Sequence, residues 1–187
     1  MRPHQGYPLR LVVPGFQGKY HVKWLRRITV VDRPLLSYWE KHHYLKGEGA
    51  NSGEGGDYFL EQGPKSVITF PSGGQRLPSP GYHTITGLAW SGSGTVRRVE
   101  VSTDGGRSWN DAAIEEPARR IALTRFTARW TWNGREAVLQ SRCTDDKGQI
   151  QPTAAEFPKF WGTSGSPHGN AIQPWRVTND GSVLNAL

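Results

Sequence analysis

The chain is almost without sulfur, holding one cysteine and one methionine among 187 residues. A single thiol excludes an intramolecular disulfide and any cysteine-built zinc centre. No apolar run approaches the ~20 residues that a membrane-spanning helix needs, so no membrane is expected as a partner. The opening MRPHQGYPLR has no apolar core of the kind a secretory leader carries. The sequence therefore reads as soluble, with no export signal of its own. Blocks of like charge are also missing. The net charge of +7 is spread out, with 9 Lys/Arg against 5 Asp/Glu over residues 1–60 and 14 against 11 over 61–187. With no basic tail and no nucleic-acid-binding motif, no nucleic-acid partner is expected.

Glycine (23), proline (13) and tryptophan (8) are abundant, which points to many turns and an aromatic-filled β structure. Gly6 to Val31 is the densest stretch. Leu11–Val13 reads as a strand buried on both faces; Pro14, Gly15 and Gly18 break it; Val22–Val31 reads as a second strand. The intervening loop carries Lys19, Tyr20, His21 and Lys23, where backbone N–H groups and cations converge as they do around an anion. Leu35–Tyr44 predicts a short helix started by Asp32 and Pro34. Lys46–Asp57, nearly devoid of apolar residues, predicts a surface loop or linker. From Gln62 onward short strands recur: Ser66–Phe70, Tyr82–Trp90, Val96–Ser102, Asp111–Glu115, Ile121–Trp132, Ala137–Thr144 and Ile172–Val177. Their period of two places Ile85, Gly87 and Ala89 on one face, and Leu139, Ser141 and Cys143 on another. Val99 and Val101 are expected inward, Arg98 and Glu100 outward. Such a series predicts a mainly β chain with an immunoglobulin-like β-sandwich.

Several motifs read as structural. Ser102-Thr103-Asp104-Gly105-Gly106-Arg107-Ser108-Trp109 fits an Asp-box turn, with Asp104 accepting backbone N–H groups and Trp109 covering the hairpin. A carbohydrate site there is the weaker alternative. Cys143 reads as a small buried hydrophobe. Trp130, Trp132, Trp161 and Trp175 read as core or interface. His42 and His43 are adjacent and, on a helix, point about 100° apart, so no metal site is expected of them. Arg97, Arg98, Arg119, Arg120 and Arg125 read as a solvated face.

GYPLR-LVVPG, followed by G and HVKWL, resembles the molybdopterin-dependent sulfite oxidase family, and its bacterial sulfite and sulfane dehydrogenase branch most closely. More than a dozen positions agree in order. The resemblance continues through KSVITFPSGGQ, GLAWSG, VRRVEVSTDGGRSW, ALTRF and LQSRCTDDKGQIQP. It implies two parts: residues 1–60 as a C-terminal fragment of an α+β molybdopterin-binding domain, and 61–187 as the family's immunoglobulin-like dimerisation domain. Arg10, His21, Val22 and Lys23 match the positions that contact the molybdenum–molybdopterin cofactor, whereas Gln5 replaces a histidine common before the Gly of GYP. The family's molybdenum-ligating cysteine lies upstream of GYPLR, so no metal ligand and no catalytic residue are expected here. The loop after Ala89-Trp90-Ser91-Gly92 lacks the arginine that the family directs at its active site. The implied whole protein oxidises sulfite or sulfane sulfur, passes electrons to a cytochrome c, works in the periplasm, and pairs as a homodimer or with the missing cofactor-domain half. The alternative is a non-catalytic immunoglobulin-like interaction module.

Overall fold

A computed structural model of the chain describes residues 1–33, 35, 37–40, 44–46, 57–58, 60–161 and 169–186. They fall into two compact units. The first is Met1–Gln62 with Pro158–Gly169, and the second is Gly63–Phe157 with Asn170–Leu187.

The second unit is built from nine strands in two antiparallel sheets. One sheet has the order β3 (Lys65–Phe70), β4 (Gly81–Trp90), β8 (Thr124–Trp132), β7 (Ala113–Ile114). The other runs β11 (Val183–Asn185), β10 (Trp175–Val177), β9 (Ala137–Asp145), β5 (Val96–Ser102), β6 (Asn110–Asp111). Alternation decides which side chains meet between them. Ile68, Ile85, Ala89, Phe126, Trp130 and Trp132 come inward from the first sheet, and Val99, Val101, Leu139, Cys143 and Val177 from the second. The sandwich read from the sequence is therefore the observed fold. Gly87 is required by packing, since a Cβ there would collide with the Phe126 ring and the Val67 carbonyl.

Several details of the sandwich differ from expectation: the Ile121–Trp132 strand begins only at Thr124, the Ile172–Val177 strand only at Trp175, and Val183–Asn185 adds a strand after them. The Asp111–Glu115 strand is two short ones, β6 on β5 and β7 on β8. The chain changes sheets near Ala112, whose N–H donates to Val99 O (2.9 Å), and period-two alternation cannot register such a crossing. Glu100, expected outward, is buried because Arg142 grips it through Nε and Nη2 (2.8 and 3.1 Å) and Arg98 adds a contact at 3.2 Å. Ion pairing permits that burial.

In the first unit, β1 (Leu45–Lys46) pairs with β2 (Asp57–Tyr58). Residues 47–56, most of the expected Lys46–Asp57 linker, lie outside the described residues. So do 34, 36 and 41–43, including His42 and His43, which cover part of the expected Leu35–Tyr44 helix; Tyr38 and Trp39 are helical. Neither expected strand of the Gly6–Val31 stretch forms. Val12 is 59% exposed and Val30 95% exposed, so Leu11–Val13 is not buried on both faces. Leu11 N donates to Val22 O and Leu25 N to Leu9 O, both at 2.9 Å, which makes only a short antiparallel tie. A regular ladder would pair Leu9 with Trp24. The extra residue is absorbed at Trp24, whose φ of 52° is left-handed.

Candidate functional site

The loop between the two tied segments is closed by its own backbone. Phe16 N donates to Val13 O, Tyr20 N to Gln17 O and His21 N to Gly18 O, the last two forming the 3-10 turn Gly18–Tyr20. Gln17 N donates to Leu60 O, and Gln62 N to Gly15 O, so residues 60–62 brace the loop. Lys19 Nζ stands 4.6 Å from the Tyr20 ring centroid and 4.5 Å from that of Tyr44. Burial lowers the Lys19 pKa, and nearby Glu40 opposes that shift.

Gly6 brings the cations together. Its φ of 113° is left-handed, and a Cβ placed there would lie 3.2 Å from Lys23 Cα and Cβ and 3.3 Å from Arg10 Cβ. Arg10 and Lys23 therefore start from either side of one point. Backbone carbonyls of the first turn aim them: Arg10 Nη1 donates to Gln5 O (3.1 Å), Lys23 Nζ to His4 O (2.9 Å) and Trp24 Nε1 to Pro3 O (2.9 Å). His21 is tied elsewhere, with Nε2 3.0 Å from Val13 O. Val22 is exposed, and its contribution is the carbonyl accepting Leu11 N–H. Of the four candidate residues, Arg10 and Lys23 share one cradle, whereas His21 and Val22 belong to the adjoining tie.

Among the described residues of this unit, Arg10 Nε and Gln17 Nε2 are buried donors with no hydrogen-bond partner. A buried unpaired guanidinium N–H costs free energy unless an acceptor reaches it. Arg10 and Lys23 are thus held by single carbonyls with donor capacity to spare, which fits an anionic, multiply accepting group such as a phosphate-bearing pterin. Gln17 was not singled out by its sequence. Its burial in a glycine-flanked loop has no periodic signature.

In the sandwich, the loop after Trp90 is fixed by Asp145. That buried carboxylate accepts Ser91 Oγ (2.8 Å) and Ser93 Oγ (3.2 Å) on one oxygen, and the N–H groups of Lys147 (3.0 Å) and Gln149 (2.9 Å) on the other. Arg120 Nη2 reaches Ser93 O at 3.4 Å, so an arginine touches this loop from a neighbouring segment. Arg97, Arg98, Arg119, Arg120 and Arg125 are all exposed, as expected. A cavity of about 260 Å3 is lined by Glu115 and Glu116 as well as by two of them, Arg119 and Arg125, and this balance of sign does not select an anion. Cys143 is fully buried and its thiol is pushed up to about 12, by burial first and Asp145 second. It is a core residue. Trp130 and Trp132 are core residues too, and Trp175, partly buried, packs against the same core and donates Nε1–H to Ile68 O (3.2 Å); the Trp161 side chain lies outside the described residues. Asp104 accepts Arg107 N, Ser108 N and both the Ser102 and Ser108 hydroxyls, and Trp109 Nε1 donates to Gly106 O. The Asp-box bonds are turn bonds.

The pattern of the family described as Mo-co oxidoreductase dimerisation domain matches residues 59–168. The chain belongs to the molybdenum-cofactor oxidoreductases. A second pattern, the oxidoreductase molybdopterin binding domain, matches residues 1–39, which include the Arg10–Lys23 cradle. Among relatives, the sulfite oxidase of Gallus gallus is 40% identical over 81% of this chain and 35% of its own length. Human mitochondrial sulfite oxidase is 33% identical over 79% of this chain and 29% of its own. The crystal structure of the sulfane dehydrogenase SoxCD from Paracoccus pantotrophus superposes with a TM-score of 0.86 at 41% identity, covering 98% of this chain and 47% of that one. The chain thus spans about a third of the sulfite oxidases and just under half of the SoxCD chain. The resemblance to the sulfite oxidase family, including its sulfane dehydrogenase branch, holds, and the sandwich is that family's dimerisation fold.

Proposed function

We propose that this chain supplies the phosphate-side wall of a molybdopterin site and the dimerisation module of an oxidoreductase that oxidises sulfite or sulfane sulfur. The observation that carries the reading is the cradle at Gly6. There Arg10 and Lys23 converge, and Arg10 keeps a buried N–H unpaired. In this reading residues 1–60 are part of the molybdopterin-binding domain and 61–187 are the dimerisation domain.

The molybdenum cofactor, when bound, supplies two-electron redox chemistry. The work of this chain is to bind and orient. Arg10 offers Nε and the planar fork of its guanidinium to phosphate oxygens, and Lys23 adds a point charge beside it. His21, with Nε2–H donated to Val13 O, leaves Nδ1 as a further polar atom beside the cradle. Val22 holds the tie that spaces His21 from Lys23. Cys143, sealed between the sheets, is not placed to bind metal, so the thiolate ligand comes from polypeptide outside these residues. The sandwich brings two copies together, electrons leave to a cytochrome c, and the complete protein works in the periplasm. A chain acting as an immunoglobulin-like interaction module alone is the second reading. It is favoured by the sandwich having its own closed core.

Pterin and molybdenum content of the complete polypeptide carrying these residues tests the proposal, by pterin fluorescence and elemental analysis. Arg10→Ala and Lys23→Ala are each expected to lower pterin occupancy about tenfold, as loss of a charge-assisted contact does. Unchanged occupancy in both would leave the interaction module as the surviving reading.

A further inference from the structure

Three connections join the two units, at 62/63, 157/158 and 169/170. The segments of the sandwich that lead to them meet in one buried hydrogen-bonded cluster. Gln151 is its centre, 2% exposed, with Ser66, Ser141 and Asn170 equally buried around it. Gln151 Oε1 accepts Ser66 N–H and Ser66 Oγ–H, both at 2.8 Å. Gln151 Nε2 donates to Ser66 O (3.3 Å) and to Ala171 O (3.4 Å). Ser66 Oγ also lies 2.9 Å from Ser141 Oγ on the opposite sheet. Asn170 Nδ2 donates to Pro64 O (3.2 Å), and Ile172 N to Pro152 O (2.9 Å). Just beyond, Thr153 and Glu156 cap each other, with Thr153 N donating to Glu156 Oε2 (3.0 Å) and Glu156 N to Thr153 Oγ1 (3.2 Å). That pair closes the turn over residues 154–156, directly before the helix α1 (Phe157–Trp161), which carries the second connection.

Ser66 stands on β3, an edge strand. Edge strands leave N–H and C=O groups that must find partners when buried. Here one side-chain amide takes both groups of Ser66, as a neighbouring strand would, and then reaches a third segment at Ala171. We propose that Gln151 is a positioning residue, a clasp that pins all three inter-unit connections to one point of the sandwich. Its shape explains the residue type. Glutamate keeps the length and the acceptors but has no donor for Ser66 O and Ala171 O, and leucine keeps the volume and bonds nothing. The inference stands apart from the cofactor reading.

Hydrogen exchange of the full chain, resolved by residue, is the test. In Gln151→Leu the Ser66 and Ile172 amides are expected to exchange at least about tenfold faster, since a lost buried bond frees local opening. The β4–β8 ladder, with amides such as Phe126, is expected to exchange as in the parent. Gln151→Glu, the gentler variant should leucine prevent folding, is expected to speed Ile172 more than Ser66, because the Ser66 N–H keeps its acceptor. Equal acceleration throughout β4, β5, β8 and β9 would reduce Gln151 to ordinary core packing and overturn the clasp. Unchanged exchange at Ser66 and Ile172 would overturn it equally.

Discussion

Val99 and Val30 are the same residue type in similar β-branched surroundings, one 1% exposed and the other 95%. The contrast holds unit by unit. Among the described residues, every buried apolar side chain of the core belongs to the sandwich, whereas Leu9, Val12, Val22, Trp24, Ile28 and Val30 of the first unit face outward. Local propensity is alike in ITVV (28–31) and VEVS (99–102). What differs is the neighbour. Val99 has Cys143 opposite it on β9 and a second sheet over it, and strand preference expresses fit to such a pleated, half-buried surface. Residues 28–31 have no strand beside them among the described residues. A run of outward apolar residues is the kind of surface that marks an interaction site, and the chain spans about a third of the length of its sulfite oxidase relatives.

Deleting a core side chain should sharpen that contrast most. Phe126, 1% exposed and packed over Gly87, is expected to cost about 3–5 kcal/mol as Phe126→Ala. Val30→Ala should stay within about 0.5 kcal/mol. Urea unfolding followed by tryptophan fluorescence compares the two, and equal losses would mean the first unit has a core of its own. Next in size is Asp145→Ala. It leaves Ser91, Ser93 and two backbone N–H groups without their acceptor, and is expected to cost about 2–4 kcal/mol. A cost below about 1 kcal/mol would mean that water replaces the carboxylate.

Gly6→Ala carries the comparison into the first unit. The left-handed φ and the crowding against Lys23 and Arg10 are expected to cost about 1–3 kcal/mol locally. The readout is loss of pterin occupancy in the complete polypeptide with the sandwich melting temperature unchanged. A lowered sandwich melting temperature would show that the units unfold as one.

The sandwich was legible because its signals are repetitive. Alternation in Tyr82–Trp90 and Ala137–Thr144 fixed which faces are buried, and Cys143 and Trp130 followed. Glu100 escaped because two arginines from separate strand positions bury it, and pairwise charge is invisible to a periodicity. The cradle was legible only in part. The family motif picked out Arg10, His21, Val22 and Lys23, but the convergence of Arg10 with Lys23 depends on the backbone of Gly6. Gln151 escaped as well: an isolated glutamine in a turn-rich stretch carries no pattern, and its partners lie 85 and 20 residues away. Long-range polar contacts of this kind are set by topology.

The smallest effect concerns two exposed turns of the sandwich. Asp180 accepts Thr178 Oγ1 (2.6 Å), Ser182 Oγ (2.8 Å) and Ser182 N (3.2 Å). These bonds, the Thr178 hydroxyl foremost, lower its pKa from 3.8 to about 2. Asp104 is held further down, chiefly by the Ser108 hydroxyl and N–H. Both carboxyls are depressed in the folded state, so their stabilisation is complete above the ordinary value of 3.8. It fades as pH falls through about 2 for Asp180, and lower still for Asp104. The melting temperature should therefore fall between pH 4 and pH 2, and the double variant Asp104→Asn, Asp180→Asn should flatten that slope. Because hydrogen bonds rather than charges dominate both shifts, high salt should leave the slope largely in place, removing mainly the small contribution of Arg76 to Asp180. A slope that disappears in salt, or that survives both substitutions, would move the acid sensitivity away from these turns.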